Sequence, residues 1–175
     1  MVYLYFYPCP KENRRAFWQA RLSEILQTDW SVARPAFTLR PDGKPALQNE
    51  NIFFNVSHSR NRLVIAVSDA EVGVDIEFYD RAIREGLRRY CLTETEHRAV
   101  PDDDARAFLR IWTAKESYLK LYGTGLRQSM RDFSVLEDTF SSPDLPPAFF
   151  YRIENKDFTV CIATEQKQNV KIQKE

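Results

Sequence analysis

The chain has little from which to build a cysteine or histidine centre. Its three cysteines, Cys9, Cys91 and Cys161, are odd in number and far apart, and no C-x-x-C pair occurs. No basic, apolar and small-residue leader pattern is present either, so a disulfide framework is not expected and a reducing cytoplasm is. With only two histidines, His58 and His97, a structural zinc site is not expected. Net charge is lacking as well, since 25 Lys and Arg balance 25 Asp and Glu. Neither nucleic acid nor an anionic membrane is therefore an expected partner. No apolar run approaches the roughly 20 residues a bilayer demands; the aromatic stretch Tyr3-Leu4-Tyr5-Phe6-Tyr7 is closed by Pro8 and Pro10. G-x-x-x-x-G-K-[ST] and G-x-G-x-x-G are both missing, so neither a P-loop nor a dinucleotide fold is indicated. Carboxylates must carry any metal, and they select a hard ion such as magnesium.

Against these absences stand 43% hydrophobic residues over 175 positions, enough for one ordinary domain or two small halves sharing a core. Residues 2–7 read as a buried strand, and 11–27 carry helical spacing with Phe17, Leu22, Ile25 and Leu26 near one face. A turn-rich stretch at 40–45 follows. Strands are expected near 52–57 and 62–68, joined by the polar connection Ser57-His58-Ser59-Arg60-Asn61. A strand at 73–78 precedes helical patterns at 81–90 and 104–122, with a Thr93/Glu96 capping box between them. Gly123-Thr124-Gly125 ends the longest helix. Further strands are expected near 132–136, 148–154 and 158–164, the last two around an Asn155-Lys156-Asp157 turn; the polar tail 166–175 is expected to fray. Because strand, helix, strands recurs in each half, the expected class is α+β with two similar lobes, 1–70 and 71–175.

Asp75 and Glu77 share one face of their strand, while Val74 and Ile76 point into the core. Neighbouring carboxylates repel, and a divalent cation relieves that conflict. The plainer alternative is an edge strand showing ordinary acids to solvent. Glu116 and Lys120 lie one helical turn apart on the same side, which also describes a surface ion pair worth about 0.3–0.5 kcal/mol. Ser57, His58 and the backbone around them offer a phosphate cradle, although a lone turn histidine is more commonly a cap. A Ser-His-acid hydrolase triad is not expected, because adjacent residues of an extended chain point opposite ways. Lys44, between Gly43 and Pro45, is a cation on a rigid loop.

Taken in order, Gly43-Lys44-Pro45, Phe54-Asn55-Val56-Ser57-His58-Ser59, Gly73-Val74-Asp75-Ile76-Glu77 and Trp112-Thr113-Ala114-Lys115-Glu116-Ser117-Tyr118-Leu119-Lys120 resemble the 4′-phosphopantetheinyl transferases of the surfactin-synthetase type. Gly123-Thr124-Gly125-Leu126 and Asp132-Phe133-Ser134-Val135 extend the likeness, which is close over residues 40–136. The resemblance implies transfer of 4′-phosphopantetheine from coenzyme A to a serine of an apo carrier protein (acyl, peptidyl or aryl), releasing 3′,5′-adenosine bisphosphate. It implies two α+β lobes in a pseudo-twofold arrangement, the second carrying a magnesium site made by Asp75, Glu77 and Glu116. By position, Ser57 and His58 would contact the coenzyme A phosphates, and Gly43, Lys44 and Pro45 would lie along adenosine. Glu116 would be the base, directly or through water, with Lys120 beside the phosphates. Larger members carry a longer first lobe; here Arg14 or Arg15, and less so Arg21, is left for the 3′-phosphate. Arg81, Arg84, Arg88 and Arg89 are candidates for the rim that meets an acidic carrier, or else a solvated helix face. A cytoplasmic monomer is expected. The competing readings are a coenzyme A or carrier-protein binding module of the same fold, and an unrelated magnesium-dependent phosphohydrolase.

Overall fold

A computed structural model describes residues 1–49 and 51–174. Strand β1 (Val2–Pro8) alternates its side chains between two apolar layers. Tyr5 and Tyr7 face one, and Val2, Leu4 and Phe6 face the other. Helix α1 (Arg14–Asp29) buries Leu22, Ile25 and Leu26 on the first layer. It begins at Arg14 and not at residue 11, because Asn13 is left-handed (φ 52°) and breaks the helical path at the N-cap. The expected turn at 40–45 is the tip of a small hairpin, β2 (Phe37–Leu39) with β3 (Pro45–Leu47).

β4 (Phe53–Ser59) and β5 (Arg62–Ser68) pair antiparallel with Ser59 opposite Arg62. The turn is thus only Arg60-Asn61, with Arg60 left-handed at φ 51°. Ser57-His58-Ser59 belong to the strand and not to the connection. Alternation puts Asn55, Ser57 and Ser59 on one face and Phe54, Val56 and His58 on the other.

β6 (Val72–Phe78) follows. Helix resumes at α2 (Glu85–Cys91), later than the pattern from 81 suggests, since Arg84 at its N-cap is still extended. α3 (Glu94–Ala99) carries the expected Thr93/Glu96 capping box. The central helix α4 (Ala105–Tyr122) runs from an Asp104 cap to left-handed Gly123. Two 3-10 turns lead to the hairpin β7 (Ser134–Leu136) and β8 (Thr139–Ser141), then to β9 (Phe149–Glu154) and β10 (Phe158–Thr164). The tail does not fray as expected: β11 (Val170–Lys174) pairs parallel with β1. Its alternation is brief, only Val170 and Ile172 being apolar, and an edge strand is held by its backbone ladder with one margin in solvent. Glu175 lies outside the described residues.

The sheets have the orders β11-β1-β5-β4 and β6-β10-β9. They stack face to face across Leu4, Phe6, Val64, Val74, Val160 and Ile162, with α1 on the outside of the first and α4 on the outside of the second. The result is an α+β fold in four layers. Where the sheets converge, β4 and β6 run side by side and parallel. Side chains stitch this seam: Asn55 Oδ1 accepts from Val74 N at 2.9 Å and Ser57 Oγ from Ile76 N at 3.4 Å.

Candidate active site

A glycine sets the width of the site. A Cβ on Gly73 would lie 2.0 Å from Ser117 O and 2.5 Å from Leu121 N, so only glycine lets α4 rest this close on β6. That approach brings Lys120 onto Asp75. Lys120 Nζ donates to Asp75 Oδ1 (2.7 Å), Ser57 Oγ (3.0 Å) and Val74 O (3.1 Å). The Ser57 hydroxyl donates to the same Asp75 oxygen at 2.7 Å. Asp75 is 5% exposed, and its other oxygen, Oδ2, is buried without a hydrogen-bond partner. Leaving such an atom unpaired costs about 1–3 kcal/mol, more for a charged group. Oδ2 is therefore the atom of the site most in want of a ligand.

Glu116 is half-buried one turn before Lys120. Burial raises its pKa, the Asp75 charge raises it further, and Lys120 and Arg81 pull it back. Glu77 accepts from Ser59 Oγ at 2.9 Å and is ion-paired with Arg81, whose guanidinium lies 5.2 Å from the Trp112 ring centroid. All three expected acids border the seam, and both strand acids already hold a cation. Among the described residues no three His, Cys, Asp or Glu side chains gather into a ready-made metal cage. The donor chemistry nonetheless fits magnesium: Asp75 and Glu116 repel each other, both are oxygen ligands, and Oδ2 is unfilled. Glu77 could join only by giving up Arg81 or Ser59.

His58 sits on the opposite strand face from Ser57, exposed at the start of α1. Partial burial, then the charges of Arg14 and Lys120, hold its pKa below the usual imidazole value. Arg14, whose Nε donates to Pro10 O at 3.2 Å, is thus the arginine that His58 feels; Arg15 is exposed beside it. Arg14 and Lys120 both lie near enough for their charges to reach His58, and with it they make a cationic and polar rim.

The Gly43-Lys44-Pro45 segment flanks the other end of the seam. Gly43 is left-handed at φ 89°, and Lys44 turns inward. Its Nζ donates to Glu71 Oε2 (2.8 Å), Val72 O (3.1 Å) and Leu121 O (3.0 Å), tying the hairpin to the start of β6 and the end of α4. Lys44, Pro45, Arg40 and Phe54 line a small cavity of about 70 Å³ there.

Of the four arginines considered for a carrier rim, Arg81 belongs to the acid cluster and Arg88 is a core tie. Arg88 Nη2 donates to Val100 O (3.1 Å) and Pro101 O (2.8 Å) under the Phe108 ring. Arg84 and Arg89 are exposed. Lys115 is fully buried and binds Glu96 (2.6 Å), Cys91 O (2.8 Å) and Met130 O (2.7 Å), so it anchors α4 in its core and leaves Glu116 to face the seam. The partners sequence reasoning missed are Ser59 and Arg81 on Glu77. For Ser59 a signal existed: Asn55, Ser57 and Ser59 repeat at the same period as Gly73, Asp75 and Glu77. For Arg81 there was none, since 79–84 is neither strand nor helix.

The sequence profile of the 4′-phosphopantetheinyl transferase superfamily matches residues 71–172, the stretch that carries Asp75, Glu77, Glu116 and Lys120. The chain belongs to this superfamily. It is similar to the 4′-phosphopantetheinyl transferase AcpT of Escherichia coli K12, with 30% identity over 162 residues, 89% of this chain and 79% of the relative. It is similar also to HetI of Nostoc (33% over 129 residues, 66% of this chain and 54% of the relative). Similarity to Sfp of Bacillus subtilis is 30% over 119 residues, 65% of this chain and 52% of the relative. The chain spans about half the length of the Nostoc and Bacillus relatives. Among the described residues no helix is long and apolar enough to cross a membrane.

Proposed function

We propose that the chain transfers 4′-phosphopantetheine from coenzyme A to a serine hydroxyl of an apo carrier protein in a magnesium-dependent reaction, releasing 3′,5′-adenosine bisphosphate. The observation that carries this reading is the buried Asp75, held by Ser57 and Lys120 with one oxygen unfilled and Glu116 close enough to feel its charge. Asp75 and Glu116, with Glu77, would hold the magnesium ion, which when bound orients a pyrophosphate and spreads its growing negative charge.

The remaining chemistry falls to side chains. Glu116 accepts the proton of the carrier serine, directly or through water, and its raised pKa suits that task. The serine oxygen bonds to the β-phosphorus as the bond to the adenosine bisphosphate breaks. Lys120 steadies the charge on the leaving phosphate. Ser57, His58 and Arg14 contact phosphates along the rim, and Arg15 lies within a helical step of them for the 3′-phosphate. Gly43, Lys44 and Pro45 bound the adenosine end, Lys44 by fixing the cavity wall. In this reading residues 1–70 and 71–175 act as two lobes about a pseudo-twofold, with the cleft along the seam, in a cytoplasmic monomer.

The test is direct. With coenzyme A, magnesium and a panel of apo carrier proteins, mass spectrometry should show a carrier gaining one phosphopantetheine arm, and Glu116→Gln should slow this by about a hundredfold or more. Retained coenzyme A binding with every carrier unmodified would instead identify a binding module.

A further inference from the structure

The ammonium groups of Lys44, Lys115 and Lys120 are not equivalent. Lys44 and Lys115 have side chains 7% and 0% exposed, each with an acidic partner and two carbonyls. Lys120 is 28% exposed, and besides Asp75 it holds only Ser57 Oγ and Val74 O. Its charge also reaches His58, as that of Arg14 does, so it belongs to the rim as well as to Asp75.

We propose that Lys120 is the resident counter-ion of Asp75, keeping a divalent cation off that carboxylate until a pyrophosphate anion draws the ammonium away. The proposal rests on the transferase reading only in taking coenzyme A as the source of that anion. An ion placed against Asp75 Oδ2 shares its carboxylate with an ammonium already 2.7 Å from Oδ1. Even with the screening of a water-like dielectric of about 80, repulsion between a divalent and a univalent cation so close weakens binding by roughly tenfold or more. A pyrophosphate on the rim reverses the balance. It offers Lys120 a doubly charged partner in place of one shared carboxylate oxygen, and it frees Asp75 for the metal. Metal and coenzyme A then bind with positive linkage, each tightening the other by the same factor.

The experiment titrates Mn²⁺ into the protein without coenzyme A and reads free ion by electron paramagnetic resonance. Lys120→Met and Lys120→Gln should each bind Mn²⁺ about tenfold more tightly than the parent. Lys120→Gln keeps a donor for Ser57 and Val74 O, so it decides the matter if Lys120→Met fails to fold. Coenzyme A should tighten Mn²⁺ binding to the parent protein, and most of that gain should vanish in the variants. Mn²⁺ binding that is unchanged, weaker or absent in the variants overturns the proposal. Carrier modification by the parent protein, run alongside, separates the two ideas. Tighter Mn²⁺ binding with no carrier modified leaves the counter-ion standing and removes the transferase reading; carrier modification with unaltered Mn²⁺ affinity does the reverse.

Discussion

Glu116 is placed for chemistry at a cost to stability. Its folded pKa is raised above the unfolded value, so the folded state holds a proton more tightly. The stabilisation is full below the unfolded carboxylate value of about 4.3 and is lost as pH rises through the folded value. In the presence of a chelator, Glu116→Gln should therefore melt progressively higher than the parent as pH is raised from about 4 to neutrality. Circular dichroism melts across that range check it, and a difference that is flat with pH would remove the argument. At this scale much was legible. Asp75 with Glu77, and Glu116 with Lys120, come from periods of two and of one helical turn, and those periods survive into the structure. The partners of Lys44 and Arg81 were not, because tertiary packing brings Leu121 O to the first, and the second meets Glu77, four residues back, across a turn that carries no strand or helix period.

Helix α4 is the element on which the site depends, and Gly73 is the contact that places it. Gly73→Ala sets a methyl against backbone atoms of Ser117 and Leu121, which cannot swing aside as a side-chain tip would. We expect destabilisation of about 1–3 kcal/mol or more, from the urea midpoint. Mn²⁺ affinity should fall with it as α4 lifts Glu116 from Asp75. A variant with parent stability and parent Mn²⁺ affinity would show that the seam is looser than drawn. α4 itself was readable, since its apolar periodicity and Gly123 stop agree, and the structure adds an Asp104 cap at its start. β7 falls within the strand expected near 132–136, whereas the three-residue strands β2, β3 and β8 were not readable, for so short a segment shows no period. Nor was the extended stretch ahead of α2.

At the scale of the whole molecule, the two sheets share one apolar layer, so neither can bury its inner face alone. β11 adds to this by returning to pair with β1, and Val170 packs on that same layer. Removing residues 170–175 should uncover one margin of β1 and lower the melting midpoint by about 5 °C or more, each kcal/mol being worth about 2–4 °C in a chain of this size. An unchanged midpoint would mean the strand contributes nothing. The α+β class could be read from the recurring element order, whereas the return of β11 could not, because its partner is distant in sequence and only Val170 and Ile172 of its side chains are apolar.

That return also orders events during synthesis. Residue 2 is paired in register with residue 170, so β1 leaves the ribosome long before its parallel neighbour exists. Until then the nascent chain presents an apolar strand with an open margin, the kind of surface that chaperones capture and that neighbouring polysomes can cross-pair.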